Sequence, residues 1–247
     1  MNFLVLFLSF TALLALYWVF FGQKKHNEMF NPTKKAELKA ILFDMDGVLV
    51  DSFNMWHAAI NTVLKKYGKK EMSAEEHKRK FWGTTLEKNA ATLFNDVRER
   101  ERFKKNVKAE VSKHVNEIKI IEGAACVLKK IKGMKKYKIG LITNSYRSLV
   151  EKTLEEKSLK ENFDAIVTLD DVEKPKPYPD PILKACEQLK VEPQECIFVG
   201  DTKQDFKAGV AAGTTVVGFN TQGHLIISKL DDLLLLIDEN HSKAKKN

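Results

Sequence analysis

Cysteine is scarce in this sequence: 247 residues contain three, Cys126, Cys186 and Cys196. The number is odd, and no Cys-x-x-Cys pair or Cys/His cluster occurs, so neither a disulfide framework nor a zinc site is indicated. Each cysteine lies among apolar neighbours and is expected to act as a small buried hydrophobe in a reducing compartment. There is no internal repeat and no low-complexity tract beyond a short basic tail. Neither charge sign dominates, with 41 Lys and Arg against 33 Asp and Glu. The basic excess favours anionic partners such as phosphorylated metabolites, nucleic acid or acidic lipid, or simply reflects a solvated Lys-rich surface. No motif points to nucleic acid.

Charge is missing altogether from Phe3–Phe21. At about 1.5 Å per residue this run spans roughly the 30 Å of a bilayer core. It lacks a preceding basic stretch and ends in Tyr17-Trp18-Val19-Phe20-Phe21, bulky where a signal-peptide cleavage site is small. A single transmembrane anchor over residues 1–22 is the expectation, with a signal peptide or a buried core helix as alternatives. Lys24, Lys25, Lys34 and Lys35 all follow the run, which places the catalytic portion in the cytoplasm; a cleaved signal would instead give a secreted protein. Residues 23–37 read as a linker and 239–247 as a basic tail.

From residue 38 onward strands and helices alternate. Short apolar runs predict strands at Ala40–Phe43, Lys138–Ile142, Ala165–Leu169, Cys196–Val199 and Thr215–Gly218. Helical patterns fall at 146–157, 180–189, 203–212 and 228–238. Such alternation predicts an α/β fold with a Rossmann-like parallel sheet covered on both faces, its ligands at the carboxyl ends of the strands. Between Ser52 and Glu117 no strand pattern occurs, only charge-rich amphipathic helices such as Met55–Lys66 and Asp96–Glu117. A core of 38–52 and 119–238 with a helical insertion at 53–118 is therefore expected.

Four pieces fall at predicted strand ends. In Phe43-Asp44-Met45-Asp46-Gly47-Val48-Leu49-Val50-Asp51-Ser52, two carboxylates follow a strand, and Gly47 permits a tight turn. One carboxylate can serve as nucleophile and the other as general acid and base, and crowding of the pair predicts a metal ion. Ile142-Thr143-Asn144-Ser145 offers donors for phosphate oxygens, although it is equally an ordinary turn or helix cap. Proline is otherwise rare, six residues in all, yet four crowd into Lys174-Pro175-Lys176-Pro177-Tyr178-Pro179-Asp180-Pro181. That stiffness can hold a lysine at fixed range, or merely make a rigid loop with solvated lysines. Val199-Gly200-Asp201-Thr202-Lys203-Gln204-Asp205 sets two aspartates four apart across a strand-to-helix turn, suitable for Mg²⁺; helix capping is the ordinary reading of Asp201.

Together and in this order, the four pieces resemble the haloacid dehalogenase superfamily of phosphotransferases over about residues 38–238. The resemblance implies that Asp44 is the nucleophile and forms an aspartyl-phosphate. It implies that Asp46 protonates the leaving oxygen and then activates water. Asp44, Asp46 (through its backbone carbonyl) and Asp201 would bind Mg²⁺, with Asp205 as a supporting acid. Thr143 and the Asn144 amide would hold the phosphoryl group. The family pattern Lys-Pro-x-Pro-Asp matches Lys176 rather than Lys174. An acid at Asp46 fits phosphatases and phosphomutases rather than dehalogenases. The insertion resembles the cap of the phosphoglycolate phosphatase and β-phosphoglucomutase group, with Lys80–Leu86 similar to its substrate loop. Leu86, where mutase-like caps carry arginine, counts against the mutase. His57, Arg79 and Trp82 are possible contacts, or ordinary packing and surface residues. The expected activity is Mg²⁺-dependent hydrolysis of a small phosphorylated metabolite, with a phosphomutase or an inactive membrane-tethered scaffold as alternatives. Oligomeric state is left unassigned.

Overall fold

Ala40-Ile41-Leu42-Phe43 is apolar on both faces, as a central strand of a covered parallel sheet must be. It forms β1 (Ala40–Phe43) and is completely buried. The computed structural model describes residues 36–244, with side chains as far as residue 238. A short antiparallel pair, β2 (Val50–Asp51) and β3 (Lys119–Ile120), closes off the stretch between them. In the main sheet β1 lies between β4 (Lys138–Ile142) and β6 (Cys196–Gly200). β5 (Ala165–Val167) pairs outside β4, while β7 (Thr215–Phe219) and β8 (Leu225–Ile227) continue beyond β6. The order is β5-β4-β1-β6-β7-β8 and every pairing is parallel.

Alternation along β1 builds the two halves of the core. Ile41 and Phe43 face one apolar cluster, Ala40 and Leu42 the other. Of the core helices, α5 (Ala124–Gly133), α6 (Arg147–Glu156) and α9 (Asp232–Ala244) contribute Leu128, Val150 and Leu233 to the first cluster. Helices α7 (Asp180–Leu189) and α8 (Lys203–Ala212) contribute Ile182, Ala185 and Ala208 to the second. Each fully buried large side chain stabilises the fold by about 1.5–3 kcal/mol, so the covered sheet is a rigid platform.

The chain between β2 and β3 is helical: α1 (Phe53–Lys66), α2 (Ala74–Lys80), α3 (Leu86–Leu93) and α4 (Val97–Lys113), then a 3₁₀ turn at Val115–Glu117. Ser73, Thr85 and Asp96 cap α2, α3 and α4 by accepting from the N–H groups of Glu76, Lys88 and Glu99, each cap worth roughly 1 kcal/mol. Helix α4 is mostly charged, and its buried residues Phe103, Val107 and Val111 are spaced four apart on one stripe. That stripe packs against α1 and α3, and its residues join the same apolar cluster that Ile41 and Phe43 face.

Several expectations need correction. Cys126 is exposed on the outer face of α5; Cys186 and Cys196 are buried, their sulfurs 3.7 Å apart as free thiols. The strand expected to reach Leu169 stops at Val167, because Leu169–Asp171 turns into a 3₁₀ helix capped by Thr168. The helix placed at 228–238 begins at Asp232 and continues through Ala244, so the expected tail starts inside α9. The anchor at residues 1–22 and nearly all of the linker at 23–37 lie outside the described residues. Among the described residues no helix is long and apolar enough to cross a membrane.

Candidate active site

The carboxyl ends of β1, β4 and β6 bring the four sequence pieces together. Immediately after β1 the chain turns at Gly47, whose φ is +87°. A β-carbon there would lie 2.2 Å from Asp201 Oδ2, so glycine is required by conformation and by space. The turn separates the two aspartates. Asp44 points into the interior and is 4% exposed, whereas Asp46 is half-buried and faces β4.

Lys176 joins the pieces. Its ammonium lies 2.7 Å from Asp44 Oδ1 and 2.6 Å from Asp205 Oδ1, and it donates to the Ile142 carbonyl at 3.3 Å. Lys174, two residues earlier, is exposed, with its Nζ 5.9 Å from the ring centre of Tyr178. The segment is bent into a turn, with the Tyr178 N–H donating to the Pro175 carbonyl at 3.0 Å around a cis peptide between Lys176 and Pro177. Asn144 ties it to β4: its side chain accepts from the Lys176 N–H and donates to the Lys176 carbonyl, both at 3.0 Å. The side chain of Asn144 is thus committed to positioning.

Asp205 is 1% exposed and both of its oxygens are engaged. One meets Lys176; the other accepts from the Thr202 N–H at 3.0 Å and from the Thr202 hydroxyl, closing a capping box on α8. Helix capping therefore falls to Thr202 and Asp205, and Asp201 is released from it. Asp201 Oδ2 accepts from the indole N–H of Trp82 at 2.9 Å, while Oδ1 is buried without a partner. Oxygens of Asp44, Asp201 and Asp205 lie within 4.8 Å of one another.

Electrostatics follow from burial. Burial pushes the Asp44 carboxyl well above its usual range; Lys176 opposes this, and Asp205, Asp201 and Asp46 add to it. Asp201 is pushed up to about 7, chiefly by burial and by Asp205. Burial works against the Lys176 ammonium, but Asp205 and Asp44 outweigh it and raise its pKa. Three crowded carboxylates around one ammonium leave an excess of negative charge, and an orphaned buried carboxylate oxygen is costly. This donor set, all hard oxygen, fits a Mg²⁺ ion.

Asp46 stands apart from the cluster. Its carboxylate accepts from Ser52 Oγ at 2.5 Å, Ser145 Oγ at 2.8 Å and Thr143 Oγ1 at 3.3 Å. Of the residues assigned to metal binding, its side chain alone does not join the group that could ligate an ion. The two serine contacts were not anticipated from sequence, although both residues end motifs singled out there.

The loop between α2 and α3 roofs the site. Trp82 reaches Asp201, and the Gly83 carbonyl accepts from Asn144 Nδ2 at 3.0 Å. Gly83, with φ +74°, packs so close to Thr202 that a β-carbon would lie 2.7 Å from its methyl. Beneath the loop is a cavity of about 50 Å³ with Asp44, Asp46 and Lys176 at its floor and Trp56, Phe81 and Leu86 above. His77 also lines it, with His57 beside it at 3.2 Å (Nδ1 to Nδ1), whereas Arg79 is exposed.

A parallel α/β platform bearing buried carboxylates and a lysine at its strand ends, roofed by an inserted helical segment, marks the class as an α/β enzyme with a capped, carboxylate-centred site. The family profile of haloacid dehalogenase-like hydrolases matches residues 41–219, and the chain belongs to that family as a phosphoric monoester hydrolase. Pyrophosphatase PpaX of Bacillus anthracis (strain A0248) is 28% identical over 216 residues, covering 82% of this chain and 98% of the relative. Pyrophosphatase PpaX of Bacillus cereus (strain Q1) is 29% identical over 224 residues, covering 83% and 100%. Among solved structures, a HAD-superfamily hydrolase, subfamily IA, variant 1, from Geobacter sulfurreducens superposes with a TM-score of 0.64 at 27% identity, covering 81% of this chain and 96% of its own. The β-phosphoglucomutase of Clostridium difficile gives 0.73 at 21% identity, covering 85% and 100%, a likeness of fold.

Proposed function

We propose that the chain hydrolyses a small phosphomonoester, with Mg²⁺, through an aspartyl-phosphate on Asp44. The observation that carries this reading is the Asp44–Lys176–Asp205 arrangement beside the orphaned Oδ1 of Asp201. Lys176 holds Asp44 by Oδ1, which leaves Oδ2 to attack phosphorus as the ester P–O bond breaks. Asp46, within the same cavity, gives its proton to the departing oxygen. Its carboxylate then takes a proton from water, whose oxygen attacks phosphorus, releasing inorganic phosphate and restoring Asp44. The net change is one ester and one water consumed, one alcohol and one phosphate formed. Ser52 and Ser145 orient Asp46 for both transfers.

Asp44, the Asp46 backbone carbonyl and Asp201 would hold the ion, and Asp205 acts through Lys176. When bound, Mg²⁺ neutralises charge on the transferring phosphoryl group. Thr143 and the backbone N–H of Asn144 would hold its oxygens, since the Asn144 side chain is spent elsewhere.

Phosphate release is measured with full-length protein, Mg²⁺ and a panel of phosphomonoesters and pyrophosphate. Stoichiometric inorganic phosphate supports this reading, and isomerisation of a sugar phosphate without release identifies a phosphomutase instead. No turnover of any compound would leave the scaffold reading. The charge-free run Phe3–Phe21, with lysines behind it, supports an enzyme anchored to a membrane and facing the cytoplasm. A fluorescent fusion that spreads through the cytosol refutes the anchor.

A further inference from the structure

Lys176 is the one cation among the residues lining the cavity, and both carboxylates beside it already occupy it. The wall opposite the catalytic floor is apolar, made by Trp56, Ile60, Phe81, Leu86 and the ring of Trp82. Its remaining side-chain polar groups are Thr84, Asn89 and His77. Burial and the neighbouring His57 lower the His77 pKa to about 4, so it is neutral near pH 7. The cap's nearby cations are directed elsewhere. Lys78 lies over the Phe53 ring at 4.8 Å, Lys108 lies over the Tyr146 ring at 3.2 Å, and Lys104 pairs with Glu101 at 2.8 Å.

Where the cap meets the core, Glu87 of α3 contacts Tyr146. The Tyr146 hydroxyl, at the cavity, donates to Glu87 Oε1 at 2.5 Å, and Glu87 Oε2 is buried without a partner. Lys104 forms an ion pair with Glu87 at 3.8 Å, and the Glu87 side chain is 43% exposed. An anion bound against this wall would lose its hydration and find no cation lining it, since Lys108 sits on the Tyr146 ring and Lys104 is held by Glu101 and Glu87. An uncharged carbon skeleton would lose nothing there, and its hydroxyls, if any, could meet Thr84 and Asn89.

We propose that this site selects phosphomonoesters whose leaving group carries no negative charge and turns a largely apolar face to the cap. The proposal rests on the phosphatase reading and narrows it. It sets aside pyrophosphate, carboxylate-bearing esters and bisphosphates, all of which put a second anion where the apolar wall lies.

The test compares kcat/KM of the full-length, Mg²⁺-loaded protein on phenyl phosphate and propyl phosphate with that on phosphoglycolate and pyrophosphate. The expected preference for the uncharged leaving groups is about 100-fold or more, with much of it in KM. A second arm uses Trp56→Lys, which places an ammonium on the apolar wall. It is expected to shift the ratio at least about 10-fold toward phosphoglycolate. Equal or better turnover of phosphoglycolate or pyrophosphate by the unmodified protein overturns the proposal while sparing the phosphatase reading. Failure to hydrolyse any of the four overturns both.

Discussion

The indole N–H of Trp82 donates to Asp201 Oδ2 at 2.9 Å, joining the cap loop to a carboxylate 119 residues away. The bond occupies one oxygen of the Asp201 carboxylate and leaves the other buried and unpartnered in a residue that belongs to the acid cluster. At the proposed Mg²⁺ site, one contact thereby ties the cap loop to the orientation of a ligand. Trp82→Phe keeps the ring and removes the donor. A hydrogen bond to a charged group is worth about 1.5–3 kcal/mol, so Mg²⁺ affinity should fall roughly 10-fold or more. Titration calorimetry on the closed, product-bound enzyme measures it; unchanged affinity would mean that the bond serves packing alone.

Lys176 is the counter-charge for two buried carboxylates, so its removal should be felt in the fold as well as the chemistry. Lys176→Met leaves Asp44 and Asp205 facing each other unpaired. A loss on the order of 3–5 kcal/mol is expected in urea unfolding without Mg²⁺, together with loss of turnover. Because protonation of one acid relieves the repulsion, the deficit should shrink at pH 5. Lys174→Met, on the exposed lysine, should leave both properties within about 0.5 kcal/mol and twofold.

At the proposed Mg²⁺ site, Asp201, with its pKa raised to about 7, would make metal binding compete with a proton. A carboxyl whose folded pKa lies above its unfolded value binds more protons when folded. In the metal-free protein it therefore favours the folded state at low pH, and that contribution is lost as pH rises toward 7. Mg²⁺ takes the ionised form, so the rise in melting temperature produced by saturating Mg²⁺ should be larger at pH 8 than at pH 5.5. In Asp201→Asn this pH dependence should shrink, with the part due to Asp44 remaining, as differential scanning calorimetry with and without EDTA can show.

His77 behaves oppositely. Its folded pKa of about 4 lies below the ordinary histidine value because burial, and then His57, disfavours the charged ring. The unfolded chain takes up a proton first, so stability from this site is present above about pH 6.5 and is lost as pH falls toward 4. The wild type should lose on the order of 2 kcal/mol between pH 7 and pH 4.5 through this group. His77→Gln should show a flatter profile over the same window in urea titrations.

Much of the platform was legible because its signals are local. A buried parallel strand reads as a short apolar run, and the chemistry sits where that run ends, as at Phe43-Asp44 and Gly200-Asp201. Strand β8 escaped because Leu225 and Ile226 are exposed and the strand has only three residues, too few for a pattern. The division of labour between Asp201 and Asp205 was not legible either. Spacing puts both on one side of a turn, but which one caps the helix depends on Thr202, and which one stays open depends on Trp82. The cap's contribution is non-local throughout: the residues roofing Asp44 come from α1 and from the turn between α2 and α3, and periodicity marks them only as core.

Asp46 differs from Asp44 in having three hydroxyl donors and no cation against it. These hydroxyls aim its carboxylate for the acid–base role proposed for it. Asp44→Asn should therefore abolish turnover, by about 10³-fold or more, because an amide oxygen cannot attack phosphorus or serve as an anionic ligand. Asp46→Asn should slow turnover by about 10²–10⁴-fold while phosphate-analogue binding is kept, since the Asp44–Lys176 geometry does not depend on it. Ser145→Ala removes only one of the bonds that aim the carboxylate, so a smaller fall of about 3–30-fold in kcat with little change in KM is expected. If Ser145→Ala instead raised KM with kcat intact, the serine would be holding substrate, and the orienting role assigned to it would fail.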